Sequence, residues 1–178
     1  MKIAISGPMC SGKSTIANII KETNEKYIIY SFGQKIKDLA SELFNMDKSI
    51  KDRSLLINIA SKMREIDPDV WAKYIINSMK GNTHCIIDDL RFQNELDILQ
   101  EDSCDWIYIV LQIDEEKRIE RLKKLYPNNY EDHIKNMNHT SERGRLTFKN
   151  NKRILYLNSD DSLDMIKFNV EYYINKFK

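Results

Sequence analysis

The sequence has few cysteines, and they are scattered. Cys10, Cys85 and Cys104 form no CxxC pair and are odd in number. This excludes a disulfide framework and a cysteine zinc site, and it implies a reducing, intracellular setting. Net charge is scarce too: 28 Lys and Arg against 27 Asp and Glu leave a formal charge of +1. There is no global polycation to hold a nucleic-acid polymer, so any anion must meet locally placed cations. Long apolar runs are missing. The longest, WIYIVLQI from Trp106 to Ile113, is far too short to span a bilayer. The N-terminus leads directly into a strand pattern, with no signal-peptide architecture. No two of His84, His133 and His139 have metal-ligand spacing on one helix. These absences suggest a cytoplasmic protein with neither membrane nor nucleic-acid partners.

What remains is an ordinary globular composition, 42% apolar and 31% charged over 178 residues, which suits one domain with a full core. Five apolar runs read as strands: Lys2 to Ser6, Lys26 to Ser31, His84 to Asp88, Trp106 to Ile113, and Arg153 to Asn158. Helical patterns alternate with them, so a parallel sheet covered on both faces is expected. Asp67 and Pro68 read as N-cap and first residue of a helix reaching Lys80. The last helix places Leu163, Ile166, Val170, Tyr173, Ile174 and Phe177 on one face. Two stretches break the alternation: a helical insert over about residues 32–82, and a charged segment over about 114–140. Both leave from the carboxyl edge of the strands, where open α/β sheets hold their ligands.

The clearest motif is GPMCSGKST, from Gly7 to Thr15. It fits G-x-x-x-x-G-K-[ST], with Gly7, Gly12, Lys13 and Ser14 at the fixed positions, and it lies between a strand and a helix as the motif requires. Its glycines let the backbone wrap a phosphate with N–H groups inward, and the helix N-terminus adds partial positive charge. Met9, Cys10, Ser11 and Thr15 complete the loop. Lys13 is expected to reach the β- and γ-phosphates of ATP, and the Ser14 hydroxyl to ligate Mg²⁺. A guanine-reading N-K-x-D run after a late strand is absent, which argues against a GTPase. A small chain with two insertions at the active edge suggests a kinase with a small acceptor.

Further stretches follow the loop in order: FGQKIKDLASELF (Phe32–Phe44), LLINIASKMREIDPDVW (Leu55–Trp71), DDLRFQNE (Asp88–Glu95), HTSERGRL (His139–Leu146) and LNSDDSLDMI (Leu157–Ile166). Together they resemble the bacteriophage-type deoxynucleoside monophosphate kinases. That family's pattern includes F-A-x-P-[LI]-K, L-Q-x-x-G-x-x-x-R, D-x-R-F-x-N-E, H-x-[ST]-E and a strand ending in N-D-G-[ST]. The resemblance spans essentially the whole chain, and its specificity lies in order and spacing. The departures are Gln34-Lys35 at the family's Asp-Pro, Ala60 at its glycine, and Asp161 at its final glycine.

The resemblance implies a three-layer α/β P-loop NTPase fold: a five-stranded parallel sheet, an acceptor-binding helical insert and a lid. It implies Mg²⁺-dependent phosphoryl transfer from ATP to a (deoxy)nucleoside monophosphate, in a protein that a phage or virus can encode. Lys13, Asp89, Arg91, Arg118 and Arg121 are then the catalytic group. Asp89 joins Ser14 on the metal side or orients Arg91. Phe32, Lys37, Arg64, Trp71, Asn94 and Glu95 join Asp89 and Arg91 around the acceptor, with Tyr74 and Phe92 as further flat surfaces. Asn158 begins the loop that holds adenine. Arg118 and Arg121, at i and i+3, swing over the phosphates with the lid. Asp88 reads as a strand end, and His139 and Glu142 as structural. A homodimer is compatible with this reading. The rival readings are a P-loop kinase for another phosphorylated small molecule, of phosphomevalonate or dephospho-coenzyme A type, and a nucleotide-sensing module that transfers nothing.

Overall fold

The computed structural model describes residues 1–47, 52–102, 105–143, 145–149 and 153–177. Cys104 lies outside the described residues. The elements are β1 (Lys2–Ser6), α1 (Lys13–Thr23), β2 (Ile28–Tyr30), α2 (Phe32–Phe44), α3 (Arg53–Ile66), α4 (Val70–Ser78), β3 (Cys85–Leu90), α5 (Gln93–Glu101), β4 (Trp106–Gln112), α6 (Glu115–Leu125), α7 (Tyr130–Lys135), α8 (Thr140–Arg143), β5 (Ile154–Asn158) and α9 (Leu163–Asn175). The five strands form one sheet in the order β2-β3-β1-β4-β5, and every pairing is parallel.

Strand alternation divides the core into two layers. Ala4, Cys85, Ile87, Trp106 and Tyr108 face α2, α3, α4 and α5, whose Ile36, Leu56, Ile75 and Leu96 cover them. Ile3, Ile5, Ile86, Ile107 and Ile109 face α1 and α9, which answer with Ile16, Ile20, Ile166, Val170 and Ile174. The helical spacing of those apolar residues is what lets each helix lie flat on the sheet. Helix starts are fixed by short acceptors: Asp52 takes Leu55 N at 2.8 Å, Asp114 takes Glu116 N at 2.9 Å, and Ser162 takes Met165 N at 3.3 Å.

The structure corrects several expected details. Asp67 closes α3 instead of capping α4: its amide bonds Met63 O, and Asp69 is the residue preceding α4. Asp67 Oδ1 accepts from Asp69 N at 3.0 Å, so Pro68 lies in the turn between the two helices. Leu163 is 59% exposed at the start of α9 instead of joining its apolar face. Beyond Tyr126 the chain forms two further short helices, α7 and α8. Strand β3 runs on to Leu90, two residues past its expected end, and its register against β1 shifts between Ala4 and Ser6. Asp88 and Asp89 therefore sit at a strand end where the pairing with β1 is irregular. Among the described residues, no helix is long and apolar enough to cross a membrane.

Candidate active site

The phosphate loop joins β1 to α1. A Cβ on Gly7 would come within 2.7 Å of Ser11 Oγ and 2.9 Å of Leu111 Cβ, and φ there is 152°. Gly12, the N-cap of α1, has φ of 89°. Both positions exclude a side chain, one by space and backbone together and one by backbone alone. Lys13 folds back into the loop, donating to Gly7 O at 2.8 Å and Pro8 O at 2.7 Å. Burial, with Arg91 adding positive charge nearby, brings its ammonium down to about 7. This is a cation held out of water and in need of an anion.

Asp88 and Asp89 have separate tasks. Asp88 Oδ2 lies 3.3 Å from Ser14 Oγ, and its other oxygen is buried with no hydrogen-bond partner among the described residues. Burial, reinforced by the charge of Asp89, raises its carboxyl to about 6. Asp89 instead accepts from Ser31 Oγ at 2.7 Å, Phe32 N at 2.8 Å and Gly33 N at 2.8 Å. It ties the start of α2 to the sheet. The carboxylate that shares a position with Ser14 is thus Asp88, where the sequence pattern pointed to Asp89. The residues present fit Mg²⁺: a hydroxyl, and a carboxylate with an unmet oxygen, is the sparse protein donor set used when phosphates and waters complete the shell. Among the described residues there is no cluster of three or more acidic, His or Cys side chains that could hold a metal by itself.

Glu142 gathers the arginines. Its side chain is fully buried, and its Oε1 accepts from Arg53 and from Arg91. Its Oε2 accepts from Arg118 at 2.8 Å and from Met9 N, in the phosphate loop, at 2.6 Å. Burial opposes its ionisation, but the Arg91 and Arg53 guanidiniums override that and hold the carboxyl below its usual range. Arg91 also bonds Ser141 O at 3.1 Å. Arg118 is fixed to the loop by Nε on Met9 O at 3.1 Å, so here it braces the loop and is not a free guanidinium above it. Arg121 NH2 reaches Ser159 O at 2.6 Å, and NH1 reaches Cys10 O at 3.5 Å. The i, i+3 spacing on α6 therefore serves the donor loop and the turn after β5.

One cavity of about 740 Å³ runs across the carboxyl edge of the sheet. Met9, Cys10, Ser11, Gly12, Lys13, Ser14 and Thr15 line its middle. Ser159, Asp161, Leu163 and Arg121 border it at one end. Asn158 is not among its lining residues; its Oδ1 accepts from Asp160 N at 3.0 Å. Toward the helical insert lie Phe32, Lys37, Arg53, Arg64, Arg91, Phe92 and Glu95. Arg64 lies 4.0 Å over the Phe92 ring and 3.2 Å from Glu95 Oε1. Glu95 is buried and caps α5, accepting from the amides of Arg91 and Phe92 at 3.0 Å each. Its free hydrogen-bonding capacity is small, so it acts on a ligand mainly through Arg64.

Three expected acceptor contacts are not in the cavity. Trp71 is 3% exposed and donates Nε1 to Ala60 O at 3.2 Å, locking α4 to α3. Asn94 Nδ2 turns to Pro68 O and Asp69 Oδ1, both at 2.9 Å. Tyr74 is exposed and lines no part of the cavity. Sequence reasoning missed Arg53, which stands in no motif, and gave Glu142 only a structural role. A readable signal existed for Glu142: it is the carboxylate of the H-x-[ST]-E stretch, His139 to Glu142.

The parallel sheet, the phosphate loop and the flanking helices define an α/β P-loop NTPase fold. The chain belongs to the AAA domain family, whose model matches residues 3–143. Among solved structures it is similar to a gluconokinase from Sinorhizobium meliloti 1021, with 14% identity, TM-score 0.61, and coverage of 99% of this chain and 92% of that one. It is also similar to a sugar kinase from Janibacter sp. HTCC2649, with 14% identity, TM-score 0.62, and coverage of 98% and 94%. No curated protein sequence matches the chain significantly.

Proposed function

We propose that the protein transfers the γ-phosphoryl group of ATP to the phosphate of a (deoxy)nucleoside monophosphate, giving the diphosphate. The observation that carries this reading is the concentration of cations on the insert side of the cavity. Arg53, Arg64, Arg91 and Lys37 all line it, next to the phosphate loop with Lys13. Two nucleotides set end to end bring several negative charges within a few ångströms, and only fixed cations and a metal make that tolerable. Phe32 and the Arg64-stacked Phe92 give flat surfaces for a base beside those cations.

In this reading the loop amides and Lys13 hold the donor phosphates, with Arg121 and the Ser159–Leu163 turn beside the adenosine. Ser14 and Asp88 would hold Mg²⁺, which would supply positive charge to offset the negative charge that develops during transfer. Arg53 and Arg91 place the acceptor phosphate in line. An acceptor phosphate has a second pKa of about 6 and is largely ionised at neutral pH, so it needs no general base. A sugar hydroxyl would need one. Asp89 suits that task poorly, because its oxygens already take hydrogen bonds from Ser31, Phe32 and Gly33. Helices α6 to α8 form the lid that excludes water. The test is ADP release from Mg²⁺–ATP over deoxynucleoside and ribonucleoside monophosphates, phosphomevalonate, dephospho-coenzyme A and gluconate. Turnover confined to nucleoside monophosphates is expected. Turnover only with one of the others would move the acceptor class.

A further inference from the structure

We propose that Glu142 is a positioning residue: its carboxylate holds Arg53 and Arg91 side by side as the clamp for the acceptor phosphate and couples that clamp to the phosphate loop. This rests on the function proposed above. The two oxygens of Glu142 divide the site. Oε1 takes the two guanidiniums that line the insert side of the cavity, Arg53 and Arg91. Oε2 takes Arg118 and the Met9 amide, which belong to the donor side. A single buried carboxylate thus bridges the groups that meet the two substrates.

Charge explains why such a residue is needed. Arg53 and Arg91 come from elements far apart in the chain, the start of α3 and the end of β3. Without an anion between them, two half-buried guanidiniums repel and splay. With Glu142 present, the three arginines and one carboxylate keep a net charge of +2 beside the transfer point. The carboxylate uses one N–H of Arg53 and one of Arg91, and each guanidinium has five donors. Arg53 Nε is buried and has no hydrogen-bond partner among the described residues, so this guanidinium is far from saturated.

The surrounding chain holds this geometry from two sides. Asp132 on α7 accepts from Arg53 N at 2.8 Å and from Ser54 N at 3.2 Å, docking the start of α3 to the lid. Arg91 NH1 bonds Ser141 O at 3.1 Å, which docks α8 to the end of β3, and the local turn bond from Glu142 N to His139 O at 2.8 Å fixes Glu142 at that point. Insert, lid and loop are joined at this one carboxylate.

The alternative is that Glu142 merely stands in for a phosphate and leaves when one binds. Glu142→Gln separates the two readings, because it keeps the shape and removes the charge. Wild type, Glu142→Gln, Glu142→Asp, Arg53→Ala and the Arg53→Ala/Glu142→Gln pair would be compared. The readouts are calorimetric titration with inorganic phosphate, titration with a fluorescent ATP analogue, and steady-state kinetics with a nucleoside monophosphate. Positioning predicts that Glu142→Gln weakens phosphate binding and raises acceptor KM by at least about tenfold, the scale of one lost charge-assisted contact, with a smaller loss of ATP affinity through its contacts to Met9 and Arg118. Glu142→Asp recovers part of the loss, and the double variant is no worse than the worse single one. Unchanged or tighter phosphate binding in Glu142→Gln overturns the proposal, as do additive losses in the pair. Should Glu142→Gln unfold, Arg53→Ala decides: an unchanged acceptor KM and phosphate affinity there removes the clamp. If the wild type binds phosphate but turns over no nucleoside monophosphate, the proposed function fails, and the phosphate titrations still judge Glu142.

Discussion

Asp88 and Asp89 are adjacent in the chain and serve opposite faces of the sheet. Asp88 Oδ2 lies 3.3 Å from Ser14 Oγ on the α1 side, while Asp89 accepts from Ser31, Phe32 and Gly33 on the α2 side. Period-2 alternation along β3 produces the split, and it lets one dipeptide supply both a metal-side group and a structural anchor.

The two substitutions should therefore differ in kind. Asp88→Asn is expected to cut Mg²⁺-dependent turnover by roughly 100-fold, because the carboxylate that neutralises the metal is gone. Its melting temperature should hold or rise, since burial and Asp89 already disfavour the Asp88 charge in the folded protein. Asp89→Asn is expected to lower stability by about 1–3 kcal/mol, the cost of leaving buried amides poorly met. Melting curves and initial rates on both variants check this; a destabilised Asp88→Asn with normal turnover would contradict it.

Lys13 predicts a pH signature for nucleotide binding. In the free protein its pKa is lowered to about 7 by burial. Bound phosphates favour the charged form, so the complex holds more protons than the free protein above that pH. ATP affinity should then be greatest below about pH 7 and decline as pH rises, with proton uptake on binding at about pH 8. Calorimetry without added metal, in two buffers of different ionisation enthalpy, reads the uptake directly. Identical heats in both buffers, or the same uptake in Lys13→Met, would count against it.

Arginines on the two sides of Glu142 should separate kinetically. Arg91→Ala is expected to raise acceptor KM and depress turnover by about 100-fold while leaving ATP affinity nearly intact. Arg118→Ala should instead weaken ATP, because Arg118 Nε braces Met9 O in the phosphate loop at 3.1 Å. Equal loss of ATP binding in Arg91→Ala would place that residue on the donor side.

Trp71→Phe tests a structural assignment. Removing the Nε1 donor to Ala60 O should cost about 1 kcal/mol, the net worth of one buried hydrogen bond. Acceptor KM should not move. A changed KM with unchanged stability would return Trp71 to the binding site.

Much of this was legible before any coordinates. Five apolar runs alternating with helical patterns implied the parallel sheet, and G-x-x-x-x-G-K-S fixed the loop at β1 and α1. The carboxylate assignment went astray because a family pattern aligned Asp89, whereas alternation from Ile86, on the α1 face, already leads to Asp88. Trp71 and Asn94 look like binding groups in sequence because nothing local reveals their partners, Ala60 O on α3 and Asp69 just before α4. Arg53 was invisible for the same reason. Its value lies in meeting Arg91 and Glu142 across 38 and 89 residues, a convergence set by the tertiary fold and not by any local spacing.

Phosphorus NMR of the protein mixed with Mg²⁺–ATP and a nucleoside monophosphate follows the acceptor atom itself. The predicted result is growth of a nucleoside diphosphate's two coupled phosphorus signals at the expense of the monophosphate, matched by ADP. An unchanged monophosphate signal across the nucleotide panel, with ATP either intact or hydrolysed to ADP and free phosphate, would contradict phosphoryl transfer to a nucleoside monophosphate.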